Sequence, residues 1–196
     1  MMAPAPRNAL LATALIACAL ALASCAGAPP QTFDLNAASG PGGANLRAAL
    51  AIREPVASAD IDSQRILVRT GRDTLANLAG APWSDRLPAL VQARLVQSFQ
   101  NARQLRFVGR AGAGFAADNE MELDIRAFEL DVAKTQADVD IAVKIVSAHS
   151  GRVVAAQIFT AQAPAAGTGG VEAAAALNAA LDSVMRQIMR FASGHV

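Results

Sequence analysis

Along residues 121–145 apolar and polar positions alternate with a period of two. Met121, Leu123 and Ile125 oppose Glu122, Asp124 and Arg126, the pattern of a half-buried strand. The apolar phase then slips by one, to Phe128 and Leu130, which predicts a β-bulge near Ala127. Ala137, Val139, Ile141, Val143 and Ile145 resume the alternation against Asp138, Asp140 and Lys144. His149-Ser150-Gly151 reads as a turn, and Val153 to Ala161 is apolar on both faces, which predicts a central strand. These three segments form an antiparallel meander with short links. Helical spacing appears twice. Leu87, Leu90, Val91, Leu95 and Phe99 fall on one stripe, with Arg86, Gln92, Arg94 and Gln97 mostly off it. Ser84 is the expected N-cap, Asp85 suits the positive helix start, and Pro88 is tolerated in the first turn; the helix ends near Ala102. From Val171 to about Ala192, Leu177, Leu181, Val184, Met185 and Ile188 form a buried stripe, while Asn178, Asp182, Arg186 and Arg190 face out.

The remaining segments carry weaker patterns. Gln31 to Asn36 is a short strand candidate, and Gly40-Pro41-Gly42-Gly43 breaks the chain. Leu50 to Val56 and Gln64 to Thr70 are extended, split by a turn at Asp60-Ile61-Asp62-Ser63. Gly71-Arg72-Asp73 turns the chain into a strand over Thr74 to Ala79. Leu105 to Val108 is a short strand before the glycine-rich loop Gly109 to Gly114. Strands, helix, strands, helix predict a single α+β domain over 31–196, with an antiparallel sheet carrying two main helices on one face.

The first residues are not part of that domain. Arg7 precedes an apolar run from Ala9 to Ala23, which reads as a secretory signal peptide over residues 1–24. The run is short for a membrane span, which needs about 20 residues; a retained signal anchor is the competing reading. It ends in Leu22-Ala23-Ser24-Cys25, which resembles the bacterial lipobox. Leu fits the peptidase pocket, small residues flank the scissile bond, and the Cys25 thiol takes a diacylglyceryl group, with an N-acyl chain added after cleavage. Leu15-Ile16-Ala17-Cys18 is a poorer second site, because Ile16 is large and the apolar run before it is shorter. Ala26 follows Cys25; by similarity to Gram-negative sorting, where Asp there retains a lipoprotein at the inner membrane, Ala26 directs this one to the periplasmic face of the outer membrane. Two or more acyl chains make a stable anchor where one binds marginally. Residues 25–30 then read as the lipidated N-terminus and a tether, with Pro29 and Pro30.

Composition narrows the chemistry. Of 196 residues, 53% are hydrophobic and 17% charged, which excludes a disordered charged polypeptide. A formal charge of +1 lacks the basic surplus of a nucleic-acid binder. Cleavage before Cys25 removes Arg7 and leaves 172 residues with 16 basic and 16 acidic side chains. No cysteine follows Cys25, so the mature domain has no disulfide and relies on its core. The sequence carries no phosphate-binding loop, nucleophile elbow or H-E-x-x-H motif. His149 and His195 are its only histidines, so no metal set and no cofactor site is expected. Glu122 with Asp124, and Asp138 with Asp140, are paired acids of the kind that hydrolyse glycosides. Their alternation with core residues instead puts them on the solvated sheet face, where Arg126 and Lys144 can pair with them. Trp83, the only tryptophan, is either packed over the helix–sheet junction or exposed as a partner or lipid anchor. Arg65, Arg69 and Arg72 are either the charged guard of an edge strand or a docking patch for an acidic partner.

The ordered set of segments resembles the ABC-type transport auxiliary lipoproteins, the PqiC-like family that accompanies MCE-type lipid transport systems. The matching pieces are the lipobox at Cys25, Phe33-Asp34-Leu35, Ile66 to Thr70, Trp83 to Leu87, Leu123 to Leu130, Gly151 to Val154, and Phe159 leading to Ala163-Pro164. Phe33 stands where the family commonly has Tyr, and Leu78 where an aromatic is frequent. The resemblance implies a non-catalytic periplasmic component. Its folded domain docks an MCE subunit, and through it an ABC permease and ATPase, while acyl chains such as palmitate on Cys25 hold it to the membrane; a homo-oligomer is compatible with this. The docking contact is expected at Trp83, Arg65, Arg69 and Arg72 or on the second sheet face. Two rivals stand beside it: an outer-membrane assembly lipoprotein, similar to that of lipopolysaccharide assembly, and a periplasmic cell-wall enzyme.

Overall fold

The computed structural model describes residues 31–40 and 46–196. Residues 1–30, with the signal segment, Leu22, Ala23, Ser24, Cys25 and Ala26, lie outside the described residues, as do Pro41, Gly42 and Gly43. Ten elements follow in the order β1 (Leu46–Ile52), β2 (Val56–Ala57), β3 (Arg65–Gly71), β4 (Thr74–Pro82), α1 (Leu87–Ala102), β5 (Leu105–Arg110), β6 (Asn119–Asp131), β7 (Gln136–Ser147), β8 (Val153–Pro164) and α2 (Gly170–Ser193). The α+β domain with both helices on one sheet face stands. The sheet itself is mixed, not wholly antiparallel.

β6 organises it. Along one side β6 pairs antiparallel with β7, which pairs antiparallel with β8. Along its other side lie β1, β2 and β3 in succession, each parallel to it, with Leu50 opposite Asn119, Val56 opposite Asp124 and Leu67 opposite Glu129. β5 adds in parallel beside β1 and β4 antiparallel beside β3. The parallel pairs join segments far apart in sequence, which alternation alone does not reveal. The register of β6 against β7 shifts between Ile125 and Ala127, the bulge that the phase slip predicts. It keeps Phe128 and Leu130 in the core after Met121, Leu123 and Ile125.

β8 corrects one expectation. Among the described residues it pairs with β7 alone and is an edge strand. Its inner residues Phe159 and Ala163 are buried, whereas Val153, Val154 and Ile158 are exposed. Residues apolar on both faces imply two covered faces only if a layer and a neighbour exist on each side. The strand expected over Gln31 to Asn36 is also shorter than predicted: it reduces to one parallel bridge between Phe33 and Trp83.

The α1 stripe, Leu87, Leu90, Val91, Leu95 and Phe99, is buried as expected. Ser84 is not its cap. The Ser84 N–H donates to Phe33 O at 2.7 Å, so that residue belongs to the bridge. Arg86 occupies the N-cap position without a side-chain cap. Its N–H is met by Asp85 Oδ1 at 2.7 Å, and the Leu87 N–H by Ser63 O at 3.0 Å. Gln92, expected off the stripe, is buried, and its Nε2 donates to Ile52 O at 2.9 Å, tying the helix to β1. In α2 the stripe from Leu177 to Ile188 is buried throughout. Among the described residues no helix is long and apolar enough to cross a membrane.

Residues 31–40 thread between the helices. Arg94 pairs with Asp34, Asn178 Oδ1 accepts from the Asn36 N–H at 2.8 Å, and Ser98 Oγ accepts from the Ala38 N–H at 2.8 Å. Gly40 lies between Ala102 and Met189. Contacts advance together along all three segments, so both helices and this segment run in one direction. At its start a Cβ on Gly170 would stand 2.8 Å from the Ala81 Cβ and 3.1 Å from the Phe33 ring, a close approach that glycine permits.

Ser98 is fully buried and also donates to Arg94 O at 2.6 Å. Ser98→Ala strands the Ala38 N–H in the core, and a buried unmet donor costs about 1–3 kcal/mol. Urea denaturation is expected to show a loss of that size with an unchanged slope.

Candidate docking surfaces

Trp83 follows β4 at the junction with α1. Its N–H donates to Gln64 O at 2.6 Å, and the neighbouring Phe33 N–H donates to Pro82 O at 2.8 Å. The indole is 2% exposed and meets the Phe128 ring edge-on, with centroids 6.0 Å apart. It is therefore a core residue at the helix–sheet junction, and the reading of Trp83 as an exposed partner anchor is corrected. A tryptophan beside a helix start is compatible with both readings; the Phe128 ring that meets it faces inward past the bulge.

The arginines of β3 also divide. β3 lies between β4 and β6, so they do not guard an edge strand. Arg69 Nε sits 2.6 Å from Glu129 Oε1, and its Nη1 donates to Arg72 O at 2.9 Å. Glu129 is 6% exposed, and its hydrogen bond raises the pKa of the Arg69 guanidinium. Arg69 thus neutralises a buried carboxylate and is not free for a partner, because removing one member of a buried pair leaves the other unmatched. Arg65 and Arg72 are exposed. Close by, Lys134 Nζ lies 2.8 Å from Asp131 Oδ2, and the Lys134 N–H donates to Asp131 Oδ1 at 3.0 Å. These hydrogen bonds, the side-chain one first, hold the Asp131 carboxyl below its ordinary value.

The paired acids of β6 and β7 stand on the sheet face away from the helices. Glu122 is opposite Lys144 in register and 3.8 Å from Arg53, which also holds Glu120 at 2.6 Å. Asp138 Oδ1 accepts from Gln162 Nε2 at 2.6 Å. Among the described residues Arg126 makes no ion pair with them; Glu122 shares Arg53, from the turn between β1 and β2, with Glu120. Among the described residues no group of three or more His, Cys, Asp or Glu could hold a metal ion. An open groove of about 750 Å³ crosses this face where β2 is too short to fill the sheet; Arg53, Val56, Gly112, Glu122, Leu123 and Lys144 are among its walls. Phe107 of β5 and Phe115 of the loop after it pack with centroids 4.5 Å apart.

A further charged region surrounds the start of β6. Asp118 Oδ2 accepts from the Ala49 N–H at 2.7 Å and lies 3.3 Å from Arg106. The Ala49 hydrogen bond, then Arg106, holds the Asp118 carboxyl below its usual value. Arg47, Arg103 and Arg152 are exposed in the same region. The sequence does not single these residues out, since they belong to four segments spread over more than a hundred positions.

Residues 33–189 match the family described as ABC-type transport auxiliary lipoprotein component. An uncharacterized protein of Bradyrhizobium diazoefficiens, bll6063, is 32% identical over 168 residues, which cover 83% of this chain; this chain spans 45% of that relative. The crystal structure of XCC0632 from Xanthomonas campestris superposes with a TM-score of 0.77 at 26% identity, covering 85% of this chain and 97% of that one. The structure of CT253 from Chlamydia trachomatis, with a TM-score of 0.53 at 12% identity over 76% of this chain and 98% of that one, shares the fold.

Trp83→Ala is expected to lower stability by about 3–5 kcal/mol, the usual loss for a truncated core aromatic, read by urea denaturation. A lowered carboxylate pKa stabilises the fold above the ordinary value near 4 and ceases to do so as pH falls through the folded value. The stability gap between wild type and Lys134→Ala is therefore expected above about pH 4 and closes on acidification below it, measured as thermal midpoints.

Proposed function

The chain belongs to the ABC-type transport auxiliary lipoprotein family, and from that premise we propose that it is a non-catalytic component docking a periplasmic MCE subunit of a lipid transport system. The family places it in the cell envelope and in association with an ABC transport system. The finer reading is that Cys25 carries the diacylglyceryl and N-acyl chains and Ala26 directs the protein to the outer membrane. Residues 1–24 are then the cleaved signal, and 25–30 the tether to the domain. The observation that carries it is the family match over 33–189 together with the lipobox just upstream.

Two features support a binding role over a catalytic one. The acidic residues of β6 and β7 alternate with core positions and share their face with Arg53 and Lys144, as a solvated sheet surface does. Conversely, β8 offers an exposed edge of twelve residues without a charged side chain, a surface suited to association. Outer-membrane assembly is the alternative partner class.

Cys25→Ser is expected to lose incorporation of labelled palmitate and to leave the membrane fraction; Ala26→Asp is expected to keep the label and shift to the inner membrane in density fractionation. Labelling of the Cys25→Ser protein contradicts the anchor, and an unmoved Ala26→Asp protein contradicts the sorting.

A further inference from the structure

We propose that the partner docks on the pole of the domain where both helices end, and that it presents a carboxylate-rich surface there. This rests on the docking reading above and assigns its contact surface. Contacts between remote segments build that pole. The Ser193 hydroxyl meets Gln104 Oε1 at 3.1 Å, joining the end of α2 to the residue after Arg103. Arg106 Nε donates to Arg47 O at 2.7 Å, fixing the start of β5 beside β1. The Ala148 N–H donates to Asp118 O at 3.0 Å, and the Ser147 N–H to Arg152 O at 2.9 Å, which brings in the β7–β8 turn.

Four exposed arginines, Arg47, Arg103, Arg106 and Arg152, therefore stand on segments that meet near Asp118. Asp118 Oδ2 is shared by Arg106 and the Ala49 N–H. Arg47, Arg103 and Arg152 have no ion pair among the described residues. Several other arginines are paired: Arg86 meets Asp62 and Glu54, and Arg53 meets Glu120. A pole with an excess of unpaired arginines, within a chain of near-zero net charge, selects partners by complementary charge and accelerates their encounter.

The direction of residues 31–40 decides between an acidic partner and the protein's own membrane. The described chain enters at Gln31, near the starts of both helices, and reaches their far ends at Gly40. The tether from Cys25 to Gln31 spans at most about 20 Å. The 16 residues of α1 carry the pole a further ~24 Å from that entry. An anchor on Cys25 therefore joins the domain at Gln31, at the end opposite the basic pole.

The test uses full-length lipidated protein in detergent to capture the MCE subunit. Arg47→Glu/Arg103→Glu/Arg152→Glu removes no ion pair, so an unchanged thermal midpoint is expected to accompany at least a tenfold loss of capture. Wild-type capture should also weaken as salt rises from about 50 to 300 mM, as screening requires. Arg65→Glu/Arg72→Glu, at the other charged cluster, should retain capture. Unchanged capture by the folded triple variant overturns the inference and leaves the docking reading intact. A wild-type protein that captures no subunit overturns both. Binding of the Cys25→Ser protein to phosphatidylglycerol vesicles, lost in the triple variant while subunit capture persists, also overturns it, because the pole then serves a membrane.

Discussion

A single bulge sets the geometry on which the rest of the domain depends. β6 is thirteen residues long and serves two sets of neighbours: β7 along one side, and β1, β2 and β3 end to end along the other. A regular strand with this sequence would turn Phe128 and Leu130 to solvent, since one residue of phase reverses every side chain. The shift between Ile125 and Ala127 keeps both halves facing the helices. It seats Phe128 against Trp83 and directs Glu129 and Asp131 to the other face, where Arg69 and Lys134 meet them. Of the cluster expected to bind a partner, Trp83 and Arg69 are thus engaged in stabilising the strand that organises the sheet, while Arg65 and Arg72 stay exposed.

The second constraint is the thread of residues 31–40 between two helices that run the same way. Parallel neighbours leave a seam that side chains alone do not close. Asn178 and Ser98 receive backbone N–H groups of the thread, and Gly40 fits where Ala102 and Met189 approach. The thread gives the domain a polarity: it begins near the starts of both helices, and Arg47, Arg103, Arg106 and Arg152 lie toward the other end.

Much of this was legible in the sequence where the signal is local. The alternation in β6 and β7, the slip at Ala127 and the stripes of both helices each depend on neighbours within a few positions. What failed depends on distant partners. Ser84 reads as a cap, but Phe33 takes its backbone. Gln92 reads as polar surface until Ile52 O supplies a buried acceptor. Val153 to Ala161 reads as central because nothing in its composition reports a missing neighbour. Trp83 and Arg69 carried two readings each, and tertiary contacts with Phe128 and Glu129 place both in the structural one. Arg47, Arg103, Arg106 and Arg152 share no motif; only the fold brings them together.

The functional account joins a lipobox to a domain that offers surfaces for association, within a family of transport auxiliary lipoproteins. Crosslinking in intact cells, followed by capture from outer-membrane fractions and mass spectrometry of the linked peptides, tests it most directly. The account predicts an MCE subunit linked to the arginine pole of this domain. Recovery of outer-membrane assembly proteins alone, with no transport subunit, would contradict it.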